Sequence, residues 1–437
     1  PGARGHQSGH LPASPPKTMT RALVLLLVAC GSPRPPTVCE PSPPAHEVAA
    51  FDAAALWSEF EETLRVGYAY LERADFDVDA QIAHARERAL AAPDFETFRR
   101  GLHRFAMAFS DPHFYVGPLE DGDPNVWPTS GDLFVALDDE GFFVSDVRRD
   151  SPADGAGVRP GWRFLGTAQG SVDEAIAALW EGAVLAGTPK QRAYAATLVA
   201  NGRRGDGERA LRFSFGAQSH ALTLASPRAF ASAVEERPVV QLQYEGDVPV
   251  VRFENRLGDH GTIEAFGAIA AQIEAAPCVI VDLRNTPSGG NSDVACGVLG
   301  HFVDQPTPYQ VHTFPYVERK HGVLRRAVQE VIARAPRVRG RVAVLGGHWT
   351  GSMGEGLVIG LHAAGARTFA SDMGDLLGGM ANFEIGALRV DFGVEALFHV
   401  NGTPREDYVA DVALPSADRN PDGEDPALQA ALAWCQG

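Results

Sequence analysis

The chain has 437 residues, enough for two or three domains and a sizeable core, with 45% hydrophobic and 21% charged residues. Its net charge of −17 argues against a nucleic-acid binder, which would normally show a basic face. Only Lys17, Lys190 and Lys320 are lysines, so nearly all the positive charge is arginine, a side chain that cannot act as a general base.

The first elements read as export and tethering. Thr18-Met-Thr-Arg21 precedes the apolar run Ala22–Ala29, too short to cross a bilayer and suited to the core of a signal peptide. Residues 1–18 lack an initial Met and read as sequence upstream of Met19. Leu27-Val-Ala-Cys30 resembles the bacterial lipobox, which implies lipidation at Cys30 and a membrane anchor. Residues 1–29 are thus assigned to a leader. The Pro-rich stretch over 30–47 is assigned to an extended tether without a core. Cys278 and Cys296, in apolar surroundings, are expected to be buried free thiols, and Cys39 and Cys435 to be able to pair.

A helical domain is expected over 48–127. Leu56, Phe60, Leu64, Tyr68 and Leu71 recur at spacings of three or four, as do Phe95, Phe98, Leu102, Phe105 and Phe109. A further helix is predicted over 78–92. The stretch ends at Ser110-Asp-Pro-His113, where Pro112 disfavours helix at Asp111.

Residues 128–228 change to short strands and turns, with a helical insert near 172–200. Gly141–Val147 reads as a strand, followed by Ser151-Pro-Ala-Asp-Gly-Ala-Gly-Val158 and Arg-Pro-Gly-Trp162. This order resembles a PDZ domain, which implies binding of extended polypeptide at a sheet edge.

Residues 229–437 alternate strands with helices, the pattern of a layered α/β domain. Helices are predicted over 261–275 and 292–303. Cys278–Arg284 is a nearly continuous apolar strand, as expected when both faces are covered. Its Gly-rich turn, Ser288-Gly-Gly-Asn291, leads to the second helix. The strand 341–345 then runs through Gly-Gly-His-Trp-Thr-Gly into Ser352 and a helix. That places a hydroxyl where free N–H groups and the helix dipole favour a developing anion. By itself the position equally suits an N-cap.

Three remote segments meet in one resemblance. Val281-Asp-Leu-Arg-Asn-Thr-Pro-Ser-Gly-Gly290, Thr350-Gly-Ser-Met-Gly-Glu355 and Ser110-Asp-Pro-His113 resemble, in order, the motifs of tail-specific (C-terminal processing) and tricorn-core serine proteases. The resemblance covers about 48–415. It implies an α/β multi-domain fold: a crotonase-like β-β-α superhelix core preceded by a small helical domain and a PDZ-like β domain.

That family uses either a Ser–Lys dyad or a Ser–His–Glu site. No lysine follows Ser352 by the required two dozen residues, where Leu377 stands instead, so composition excludes the dyad. Val400-Asn-Gly-Thr-Pro-Arg-Glu406 resembles the segment that carries the family's Glu. The resemblance therefore implies Ser352 as nucleophile, His113 as general base and Glu406 as the group fixing the His tautomer. Backbone N–H groups of Met353 and of Gly289 or Gly290 would form the oxyanion hole, and Glu355, one turn after Ser352, would support the site.

The sequence departs from the tricorn-like pattern at Pro112, where the family has a second Ser, and in a Gly-rich loop one residue longer than usual. Asp282 and Arg284 are expected to tie the strand end together, and His348 to line the pocket. No His-x-x-x-His or Cys-x-x-Cys pair stands in the mature region, so neither metal nor cofactor is expected. The expected function is an extracytoplasmic, cell-envelope serine endopeptidase acting on unfolded or C-terminal polypeptide segments. The alternative is a catalytically inactive peptide-binding or scaffolding lipoprotein. Oligomeric state is not legible from the chain.

Overall fold

The computed structural model describes residues 51–185 and 187–437. The leader, the Cys30 lipidation site and the tether lie outside the described residues. Three helices open the described chain: Ala53–Gly67, Val78–Leu90 and Phe95–Ala106. Each begins at an aspartate, Asp52, Asp77 or Asp94, whose side chain accepts first-turn N–H groups that have no partner within the helix. The predicted apolar stripes face inward, with Phe60, Leu64, Tyr68, Phe98, Leu102 and Phe105 all buried.

These helices do not close a core by themselves. Their aromatic layer is completed by Leu388, Val390 and Phe392, from the long strand Leu388–His399 near the C-terminal end. Phe392 stands 5.7 Å from Tyr68 and 5.6 Å from Phe114, ring centre to ring centre. The short strand Tyr115–Gly117 pairs antiparallel with the same strand, placing Tyr115 opposite Asp391. The first described helices and Leu388–His399 thus share one core. The long strand belongs to a five-stranded antiparallel sheet, which runs from Tyr115–Gly117 through Leu388–His399 and Thr307–Thr313 to Arg326–Val331. Gly379–Ile385 also pairs with the long strand.

Residues 133–225 form a second sheet, ordered Leu133–Asp138, Gly141–Val147, Arg163–Thr167, Glu208–Phe215 and Gln218–Ala225. The insert predicted near 172–200 is two helices, Val172–Trp180 and Pro189–Asn201, each opened by a reciprocal capping box. Ala195, Ala196, Leu198 and Ala200 of the second helix pack into the core of this sheet.

The third sheet has six strands, with Cys278–Asp282 and Arg341–Gly346 at its centre, parallel and in direct register. Cys278–Asp282 is buried at every residue, because apolar clusters cover both faces. On one face lie the helices Gly261–Ile273, Ser292–Leu299 and Met353–Ala363. The C-terminal helix Pro426–Gln436 covers the other.

The cysteine expectation is corrected here. Cys278 is joined to Cys435 by a disulfide, while Cys296 remains a half-buried free thiol. The C-terminal helix folds back over the sheet and brings Cys435 to the start of the central strand, a contact across 157 residues. Local composition carries no trace of such a contact. Cys39 lies outside the described residues. No helix among the described residues is long and apolar enough to cross a membrane.

Candidate active site

Both central parallel strands end in turns that meet. The N–H of Thr286 donates to the Trp349 carbonyl at 3.1 Å, and the N–H of Gly351 donates to the Thr286 carbonyl at 3.1 Å. Asp282 and Arg284 hold the first turn as expected: the guanidinium donates to both carboxylate oxygens at 2.9 Å and reaches Asp425 of the C-terminal helix.

Ser352 sits on the second turn, immediately before the buried helix Met353–Ala363. Its backbone has φ 50° and ψ −111°. A positive φ in a residue with a Cβ costs energy and persists only where the surroundings enforce it. Two neighbours do so. The Ser352 N–H donates to Glu355 Oε2 at 2.5 Å. Gly289, itself at φ +64°, lies so close that a Cβ there would stand 2.5 Å from Ser352 Cβ and 2.6 Å from Met353 N. Only glycine permits that approach.

The two glycines of the loop differ. The Gly289 N–H already donates to the Thr286 carbonyl at 3.1 Å. The N–H groups of Gly290 and Met353 have no hydrogen-bond acceptor among the described residues. Gly290 is held by its neighbours: a Cβ would fall 2.1 Å from the Leu257 carbonyl.

Glu355 is buried beneath the serine. Its Oε2 takes the Ser352 N–H and its Oε1 takes the Asp375 N–H at 3.1 Å. Burial pushes this carboxyl up to about 8, opposed by the Arg405 guanidinium 3.6 Å away. Arg405 is itself buried and donates to the Leu376 carbonyl. The sequence reading missed it, although it adjoins Glu406 in the motif.

His113 is buried, and its Nδ1 lies 2.7 Å from the Leu377 carbonyl. A carbonyl only accepts, so Nδ1 carries the proton and Nε2 is left as the basic nitrogen. Burial drives the imidazole down to about 4, which keeps it neutral near pH 7. Asp111 fixes the surrounding backbone. Its Oδ1 accepts from the N–H groups of His113 at 2.9 Å and Leu377 at 3.4 Å, and its Oδ2 accepts from the Tyr68 hydroxyl at 3.0 Å. Burial raises Asp111 to about 7. The carbonyl on His113 thus comes from Leu377, near the spot where the resemblance would place the lysine of a dyad. The 374–377 loop also abuts the serine turn: Gly374 N–H donates to the Thr350 carbonyl at 2.8 Å.

Glu406 does not occupy the role that the resemblance implies for it. It pairs through Oε1 with Arg73, from the turn after the first helix. Its Oε2 is buried without a hydrogen-bond partner among the described residues. The His113 tautomer is set by a backbone carbonyl, because Leu377 reaches Nδ1 and Arg73 claims the glutamate. Nothing in the local sequence links Arg73 to residue 406. In this resting structure Ser352 Oγ is hydrogen-bonded to neither His113 nor His348. Such contacts often tighten only when substrate is bound. The His348 ring lies 4.3 Å from that of Phe134, tilted by 35°, and its Nδ1 faces Asp146 of the second sheet at 3.3 Å. Among the described residues, no group of three His, Cys, Asp or Glu side chains could hold a metal ion.

No family model and no curated protein matches this chain. Solved structures do. Mature CPAF complexed with lactacystin aligns with a TM-score of 0.57 at 13% identity, covering 88% of this chain and 97% of that one. The photosystem II D1 C-terminal processing protease aligns with a TM-score of 0.53 at 13% identity, covering 84% and 95%. The α/β multi-domain architecture is the fold of these two proteins.

Proposed function

We propose that the protein is a serine peptidase in which Ser352 attacks the scissile carbonyl and His113 Nε2 takes its proton. The observation that carries this reading is the backbone of Ser352, held at positive φ at a helix N-terminus beside two N–H groups without acceptors among the described residues. Strain of this kind concentrates at functional sites. Met353 and Gly290 would donate to the oxyanion of the tetrahedral intermediate, with Gly289 serving as the residue that lets the two loops touch. His113 would return the proton to the leaving amine, and water would then hydrolyse the acyl-enzyme by the same route. Glu355 supports the site by holding the Ser352 peptide. The fold shared with the photosystem II D1 C-terminal processing protease supports the reaction class.

The reading extends to context. The Cys278–Cys435 disulfide favours an oxidising compartment, in keeping with an exported cell-envelope lipoprotein anchored through Cys30. Unfolded or C-terminal polypeptide segments are the proposed substrates, delivered by the PDZ-like sheet over 128–228. In the test, the full chain and its S352A variant are assayed on casein and on unstructured peptides. Cleavage by the parent and its loss in S352A are expected. Equal activity in both would remove Ser352 from the chemistry. Specific labelling of Ser352 by a fluorophosphonate would exclude the inactive-scaffold alternative.

A further inference from the structure

The strand Arg326–Val331 is the outermost member of the five-stranded sheet. It pairs with Thr307–Thr313 on one side, and no described strand pairs with its other edge. Open edges invite pairing with another chain, and proteins usually blunt them with proline or with charge. This edge carries no proline between Leu324 and Ala335. It carries apolar residues instead: Val323 is 56% exposed, Leu324 72%, Val328 54% and Ile332 63%. The inward face is ordinary. Val331 is buried, and Gln329 bonds the Tyr309 hydroxyl at 2.9 Å.

The outward face reads Leu324, Arg326, Val328, Glu330, Ile332 at the period of two that puts side chains on one side of a strand. That order complements itself when reversed. In an antiparallel pair of two such strands, centred on Val328, the valine meets its own copy. Arg326 meets Glu330 twice, and Leu324 meets Ile332 twice. A two-fold interface requires this property, since each residue must suit the partner that its own symmetry mate selects. Charges placed only to repel neighbours would share a sign. Here both signs occur, at positions that pair.

We infer that the chain forms a two-fold dimer by antiparallel pairing of Arg326–Val331 with the same strand of a second copy. The two five-stranded sheets then become one continuous sheet across the axis. Opposite charges facing each other across strands stabilise the pair and like charges oppose it.

The test uses sedimentation velocity on the full chain and two charge reversals, R326E and E330R. Both side chains are exposed, so the fold is expected to survive, with melting curves as the check. The parent is expected to be a dimer. In either single variant, two attractive contacts become two repulsive ones, and the dissociation constant is expected to rise roughly tenfold or more. An equimolar mixture of the two variants restores both opposite-charge pairs and is expected to recover the dimer. A monomeric parent, single variants that dimerise like the parent, or a mixture that fails to recover the dimer would each overturn the proposal.

Discussion

Ser352 and His113 are held by different means. The serine is set by local backbone: a strand end, a run of small residues and a helix start, all within a dozen positions. Gly289 contributes from a second turn, but that turn ends the neighbouring parallel strand and so arrives with the sheet. The histidine is set by contacts that span the chain. Leu377 takes its Nδ1–H, Asp111 ties it to Tyr68 and to Leu377, and the strand that follows it pairs with residues near 390. A site assembled in this way is only as ordered as the docking of the first helices onto Leu388–His399.

The contrast also separates what was legible in the sequence. The place of Ser352 at a strand-to-helix turn, the Asp282–Arg284 tie and the order of strands and helices in the third sheet were readable because each rests on local spacing or periodicity, whereas the role of Ser352 came only from the resemblance. The partner of His113 was not readable, because a backbone carbonyl has no residue identity to notice. Glu406 was assigned from its motif, yet Arg73, more than 300 positions away, determines where its carboxylate goes. The disulfide escaped for the same reason. Leu377, near the spot where a lysine dyad would place its base, meets His113 Nδ1 through its main-chain carbonyl, a contact that residue identity does not announce.

The largest expected effects test whether the two residues act as one unit. S352A and H113A are each expected to lower kcat on the order of 10⁵-fold, and the double variant should lose no more than either alone. Additive losses, read from kcat of all three, would mean that His113 does not work through Ser352. D111A comes next. It leaves the N–H groups of His113 and Leu377 and the Tyr68 hydroxyl without their shared acceptor, so the imidazole shifts. A fall in kcat of roughly 10²-fold with little change in KM is expected. A variant that loses only thermal stability would make Asp111 merely structural.

E406Q should cost far less than H113A, because the glutamate does not touch Nδ1. A loss as large as that of H113A in kcat/KM would restore the glutamate to the histidine in the working enzyme.

The smallest effect is a pH signature. Glu355 holds its proton to about pH 8 when folded and releases it near 4.5 when unfolded. Between those values the folded chain binds the extra proton, so this carboxyl lowers stability as pH rises. E355Q should lessen the fall in melting temperature across that window, most clearly above pH 7, because Asp111, raised to about 7, contributes in the same direction below it. Buried His103 and His113 act on the acid side. Both titrate near 4 in the fold and near 6.5 unfolded, so stability is lost as pH falls from 6.5 towards 4. H113A should weaken that acid loss while leaving the slope between pH 6.5 and 8 unchanged.

The central claim is that a serine poised by its own backbone becomes a nucleophile only through a histidine delivered from the helical end of the chain. Its most direct test is the rate at which a fluorophosphonate labels Ser352 in the parent and in H113A, both shown to be folded by their melting curves. Rapid labelling of the parent at Ser352 and near-complete loss in H113A are expected. Undiminished labelling in H113A, or none in the folded parent, would contradict that claim.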